Sequence, residues 1–155
     1  MFPSRLFLGA AILFALSLSS PLPSPTCDPG WVFFQGDCYS LNAKLTWSEA
    51  ETLCEKSNAH LVSIHSDAEQ LFAVSLAKDD VFFWIGGFAN MTKKLNTFWS
   101  DGSAWSYNRL YVAQMVPEST CMVSDVEVEK PTQWANFHCD VHEFSSICKK
   151  SAYKQ

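Results

Sequence analysis

The apolar positions of this chain change their period several times, and each change marks an element. Residues 6–18 (LFLGAAILFALSL) are apolar without interruption, follow a lone basic residue, Arg5, and give way to the Ser- and Pro-rich stretch SSPLPSPT. Thirteen apolar residues fall short of the roughly 20 that a helix needs to cross a bilayer. A basic start, a short apolar run and small residues after it form the pattern of a secretory signal peptide. We place it at residues 1–20, with its end anywhere from 17 to 26. A signal anchor is the competing reading, disfavoured by the short run and by the lack of a stalk behind it. No later apolar run is long enough to span a membrane.

Beyond residue 26 the pattern becomes that of a folded domain, 27–150. The aromatic stretch 31–39 (WVFFQGDCY) holds a Gly-Asp turn signal and predicts a short hairpin. Thr46-Trp47-Ser48-Glu49 is a capping box that opens a helix to about residue 56, with Trp47, Ala50, Leu53 and Cys54 on one stripe. Residues 60–64 (HLVSI) predict a short strand or extended link. Ser66-Asp67-Ala68-Glu69 is a second capping box, opening a helix to about residue 77 with Ala68, Phe72 and Leu76 on one face. The continuous apolar run 81–86 (VFFWIG) predicts a strand buried on both sides. Residues 97–100, 121–128, 132–139 and 144–149 predict further strands, and 105–120 shows no period. Two helices followed by a run of strands give an α+β class with antiparallel sheets and one long irregular loop. Long irregular stretches in small domains are often functional.

Composition narrows the function. Lys and Arg number 11 against 16 Asp and Glu, and loss of Arg5 with the signal would make it 10 against 16, a net charge of −6. Such a chain carries no electrostatic footprint for nucleic acid or for an anionic membrane. All six cysteines, at 27, 38, 54, 121, 139 and 148, follow the signal. In a secreted protein an even set reads as three disulfides, of which fifteen pairings are possible. There is no CxxC pair, which argues against a zinc ribbon and against a redox motif. Asn90-Met91-Thr92 is an N-glycosylation sequon between two apolar runs.

Trp84-Ile85-Gly86-Gly87, Trp99-Ser100-Asp101-Gly102, Trp134 five residues before Cys139, and the closing Ile147-Cys148-Lys149 appear in that order behind the two capped helices. Together they resemble the C-type lectin-like domain in its long, three-disulfide form, over roughly residues 27–149. Gly87 stands where a Leu is often found. The resemblance implies the pairing Cys27–Cys38, Cys54–Cys148 and Cys121–Cys139. It also implies a recognition function, with the long loop and the strand after it as the binding region.

Calcium-dependent members of that family hold one Ca²⁺ with a Glu-Pro-Asn or Gln-Pro-Asp tripeptide, a further Glu before the next Cys, and an Asn-Asp pair after a Trp. Here the pair position after Trp134 is Ala135-Asn136, and the loop 111–120 (YVAQMVPEST) contains neither tripeptide. Glu118 and Asn136 are the surviving candidates, weak ones for a cation that prefers six to eight oxygens including carboxylates. Calcium is therefore possible but disfavoured, and no other cofactor is expected. Aromatic side chains offer another route to a ligand, by stacking on sugars or anchoring a protein interface. Trp105, Tyr111 and Met115 are the candidates, with Tyr107 and Phe137 nearby; packing of the loop onto the body is the favoured reading for Trp105, applies to Phe137, and competes with ligand contact for Tyr111 and Met115.

Two other groupings carry less. Asp125, Glu127 and Glu129 alternate along an expected strand and read as a solvated face. His138 and His142 have a zinc-like spacing but sit where no helix is expected. With every Cys consumed in a bridge and no GxSxG elbow, no catalytic constellation assembles. The expectation is a secreted, extracellular lectin-like protein that binds a glycan or a protein surface, without the usual calcium-bridged sugar site. The alternatives are a calcium-dependent lectin, a small secreted enzyme, and a matrix or mineral-binding role.

Overall fold

The computed structural model describes residues 25–90, 96–111, 120–126 and 133–153. The expected signal segment, Glu118 and Met115 lie outside them. The aromatic stretch near the start folds as the expected hairpin, β1 (Val32–Phe34) against β2 (Asp37–Leu45), with Gln35 and Gly36 between them. β2 runs well past the expected end at Tyr39, because its polar residues are used: the Asn42 amide donates to Ser40 O and to Cys148 Sγ, 3.1 Å each.

Helix α1 (Trp47–Glu55) starts at a complete capping box. Thr46 Oγ1 accepts from the Glu49 N–H, and Glu49 accepts in return from the Thr46 N–H at 3.1 Å. Helix α2 (Asp67–Leu76) starts at Ser66, but only half of its box closes. Glu69 reaches one residue further back, to the His65 N–H at 2.7 Å. The buried face of α2 is also not the expected one. It consists of Glu69, Gln70, Ala73 and Val74, whereas Ala68 is exposed and Phe72 and Leu76 are half-buried. Two polar residues can face inward here because each meets buried partners, as described below.

The strands β3 (His60–Leu61), β4 (Phe82–Asn90), β5 (Asn96–Trp99), β6 (Cys121–Asp125), β7 (Trp134–Phe137) and β8 (Phe144–Ser151) follow the expected order. They do not form separate antiparallel sheets. All join one network in the order β1-β2-β8-β4-β6-β7, with β3 on β8 and β5 on β4. The link is a two-residue parallel contact, Phe83 with Ser145 and Trp84 with Ser146. Strand direction depends on connections far apart in sequence, so a strand-by-strand reading misses so short a parallel seam.

The sheet buries both faces. Phe83, Ile85, Met122, Trp134 and Ile147 pack on the α2 side, and Trp84, Val123 and Cys148 pack on the α1 side. This alternation along β4, β6 and β8 is the period-two pattern of a covered strand. The disulfides are Cys27–Cys38, Cys54–Cys148 and Cys121–Cys139, as the resemblance implied. The first pins the hairpin, the second ties α1 to β8, and the third joins the start of β6 to the residues after β7. Among the described residues no helix is long and apolar enough to cross a membrane.

Candidate ligand-binding face

Trp134 organises the end of the sheet where the irregular stretch leaves and returns. Its indole N–H donates to Gln70 Oε1 at 2.7 Å, and the Gln70 amide donates to Ser124 Oγ at 2.8 Å. All three residues are fully buried. An unpartnered polar group there would cost roughly 1–3 kcal/mol, so the inward polar face of α2 serves to fix the indole.

Around Trp134 lie three more aromatic rings: Trp99 at 5.3 Å, Trp105 at 5.6 Å and Tyr107 at 5.8 Å between centroids, all edge-on. Trp105 also stacks on Trp99 at 4.3 Å. Trp105, half-buried, thus packs the loop onto the body. The unusual Gly87 makes room for it: a Cβ there would lie 3.3 Å from the Trp105 ring and 2.8 Å from Met122 Sδ.

The first part of the irregular stretch is strapped down. The Trp134 N–H donates to Arg109 O and the Tyr111 N–H to Trp134 O, both at 2.9 Å. From the side, Arg109 and the Tyr107 hydroxyl both bind Asp67 at the start of α2, the hydroxyl at 2.6 Å. These bonds hold the Asp67 carboxyl below its usual range, the Tyr107 hydrogen bond first and Arg109 second. Burial, followed by the bond to Asp67, pushes the Tyr107 phenol up. The sequence signal for this strap was faint: Tyr107 and Arg109 alternate, and Asp67 sits in a helix N-terminus 40 residues earlier.

Of the expected ligand residues, Tyr111 is displayed, 40% exposed, directly beside the Trp134 backbone. Asn136 is the opposite case, 4% exposed on β7 across from Met122, with Ala135 beside it. The structure therefore brings Tyr111, Trp105 and Asn136 around Trp134, with Tyr111 exposed, Trp105 half-buried and Asn136 buried. Asp125 accepts from the Gln133 N–H at 2.9 Å at the close of the β6–β7 pairing; Glu127 and Glu129 lie outside the described residues. His138 is exposed, and His142 stacks on Phe144 at 6.0 Å. Phe137 packs against Phe144 at 5.3 Å. Asn90 ends β4 opposite Asn96, while Met91 and Thr92 of the sequon lie outside the described residues.

On another side, a polar cleft of about 330 Å³ is lined by His65, Ser63, Asp101, Ser103 and Lys149, among others. Lys149 supplies its base, with Nζ 2.5 Å from Glu69 Oε1 and 3.0 Å from Ser63 O. The Tyr39 hydroxyl donates to the same Glu69 oxygen at 2.7 Å; burial and then this bond push its phenol up. Burial pushes the Asp101 carboxyl up, but hydrogen bonds from Ser103 and Ser63 and the Lys149 charge outweigh it, and the net direction is down.

The family model for the lectin C-type domain matches residues 43–150. Among curated proteins, Snaclec A12 of Macrovipera lebetinus is 32% identical over 147 residues, covering 90% of this chain and 89% of the snaclec. The C-type mannose receptor 2 of Mus musculus is 34% identical over 128 residues, 81% of this chain but 8% of the receptor. Among solved structures, a calcium-independent type II antifreeze protein superposes with a TM-score of 0.72 at 30% identity, covering 84% of this chain and 98% of the other.

Proposed function

This chain belongs to the C-type lectin domain family, and from that premise we propose that it is a secreted recognition protein. It binds a carbohydrate or a protein surface through the face around Tyr111, without a calcium ion bridging to the ligand. The observation that carries this reading is the pair after Trp134. Ala135 has no side-chain oxygen and Asn136 is buried on β7, so the strand that would contribute a ligating pair presents none outward. Dehydrating calcium needs several anionic oxygens, and Glu118 is the one carboxylate among the expected loop ligands. The calcium-independent antifreeze protein of the same fold supports this: the fold itself does not require the ion.

Secretion rests on the signal-like residues 1–20 and on three disulfides, which persist in oxidising compartments. Glycosylation at Asn90 belongs to the same reading. We assign no catalysis. Ser103 Oγ meets His65 Nε2 at 3.1 Å, but no carboxylate among the described residues orients that imidazole as a triad requires.

The test is an array of glycans and extracellular proteins probed with the purified chain, in calcium and in EDTA, alongside Tyr111→Ala. Equal binding in both buffers that falls at least about tenfold in Tyr111→Ala, the loss of a central aromatic contact, is the expected result. Binding that disappears in EDTA returns the calcium-dependent lectin, and binding indifferent to Tyr111 moves the site elsewhere.

A further inference from the structure

Away from that face, the C-terminal half of α1 and the start of β3 bring three metal-ligating side chains together. Glu51 and Glu55 lie one turn apart on α1, and His60 opens β3. One donor atom from each lies within 4.8 Å of the other two. Glu51 Oε1 is 2.5 Å from His60 Nδ1. Its other oxygen is held from outside the group, by the Leu61 N–H at 2.9 Å and the Ser100 hydroxyl at 3.1 Å. Outer partners of this kind fix the orientation of a ligating carboxylate. The Glu51 side chain is 12% exposed and that of His60 42%, while Glu55 is exposed. The group thus has a rigid inner member and two outer members that an ion can reach from solvent.

We propose that Glu51, Glu55 and His60 bind a divalent transition-metal cation, with zinc as the probe of that class. One imidazole nitrogen and two carboxylates, with water in the fourth position, suit a tetrahedral N/O site. Two carboxylates and an imidazole are a poor set for calcium, which takes six to eight oxygens. At zinc–ligand distances of about 2.0–2.1 Å, tetrahedral ligands stand about 3.3 Å apart. The Glu51–His60 pair therefore opens by under about 1 Å, a small rotation for the half-buried His60 side chain. This site shares no residue with the face around Tyr111 and does not depend on the ligand reading.

The simpler reading, a His–Glu contact and nothing more, is an outcome of the test. Zinc is titrated calorimetrically into the disulfide-bonded chain, into His60→Gln and into Glu55→Gln; Glu51 stays intact because it holds the Leu61 backbone. Expected are one zinc per chain with a micromolar dissociation constant, weakening about tenfold or more in each variant, and a zinc-dependent rise in melting temperature that His60→Gln loses. Excess calcium does not compete. Absence of binding below millimolar zinc overturns the proposal. So does equal binding by both variants, which would place the ion elsewhere, for instance at exposed His138 or His142.

Discussion

Replacing Lys149 by Met tests how the two halves of the domain are locked. The Lys149 and Glu69 side chains are 13% and 7% exposed. The ammonium lies 2.5 Å from Glu69 Oε1, 3.0 Å from Ser63 O and 3.7 Å from Asp37 Oδ2. Methionine keeps most of the aliphatic stem and removes the charge. Glu69 would then retain the Tyr39 hydroxyl and the His65 N–H, each at 2.7 Å, but lose its closest counter-charge. Removing one partner of a largely buried pair costs roughly 3–5 kcal/mol. Because two donors remain on Glu69, the lower end applies, about 3 kcal/mol. The assay is guanidinium unfolding at neutral pH with disulfides intact, on Lys149→Met, Glu69→Gln and the double variant. The double variant removes both charges, so it should cost less than the two single losses summed, by about 2 kcal/mol. A loss under about 1 kcal/mol, the range of exposed pairs, or simple additivity would mean that Lys149 and Glu69 are not a coupled buried pair.

Three further outcomes follow from the same structure. A Cβ at Gly86 would lie 2.6 Å from the Leu61 carbonyl oxygen and 2.7 Å from Ser100 Oγ; Gly86→Ala should therefore cost about 2–3 kcal/mol in the same denaturation experiment, as overpacking against backbone does. The Asp101 carboxyl is held below its usual range. Its stabilising contribution is therefore present above the unfolded value near 4 and is lost as pH falls through the lowered one. The stability gap between wild type and Asp101→Asn should accordingly be full at pH 7 and close in stronger acid; a gap that widens in acid would reverse the sign. Cys54–Cys148 spans 94 residues against 11 for Cys27–Cys38, so by chain entropy its removal should cost about 4–5 kcal/mol against about 3. Thermal unfolding of paired Cys→Ala variants compares them, and a larger loss from the short loop would contradict that ranking.

Local signals carried most of the fold. Capping chemistry at Thr46 and Ser66 located both helices, and the run into Trp84 located the central strand. What stayed hidden depended on partners distant in sequence. Glu69 and Gln70 look like a solvated helix face until Lys149, Tyr39, Ser124 and Trp134 are seen to satisfy them. The parallel seam at Phe83 and Trp84 could not be read from either strand alone. The disulfide pairing came through the resemblance and not through spacing. At the candidate face, Tyr111 stands exposed, Trp105 is half-buried against Trp99 and Trp134, and Asn136 is buried. The Glu51, Glu55 and His60 group was visible as E-x3-E-x4-H, yet its meaning depends on β3 folding back beside α1.

Recognition without calcium is the central property proposed for this protein. Isothermal titration of calcium into the purified disulfide-bonded chain, beside Glu118→Ala, tests it directly. No saturable heat is expected at micromolar calcium in either protein. Stoichiometric micromolar binding that Glu118→Ala abolishes would show a calcium site in the loop and overturn calcium-free recognition.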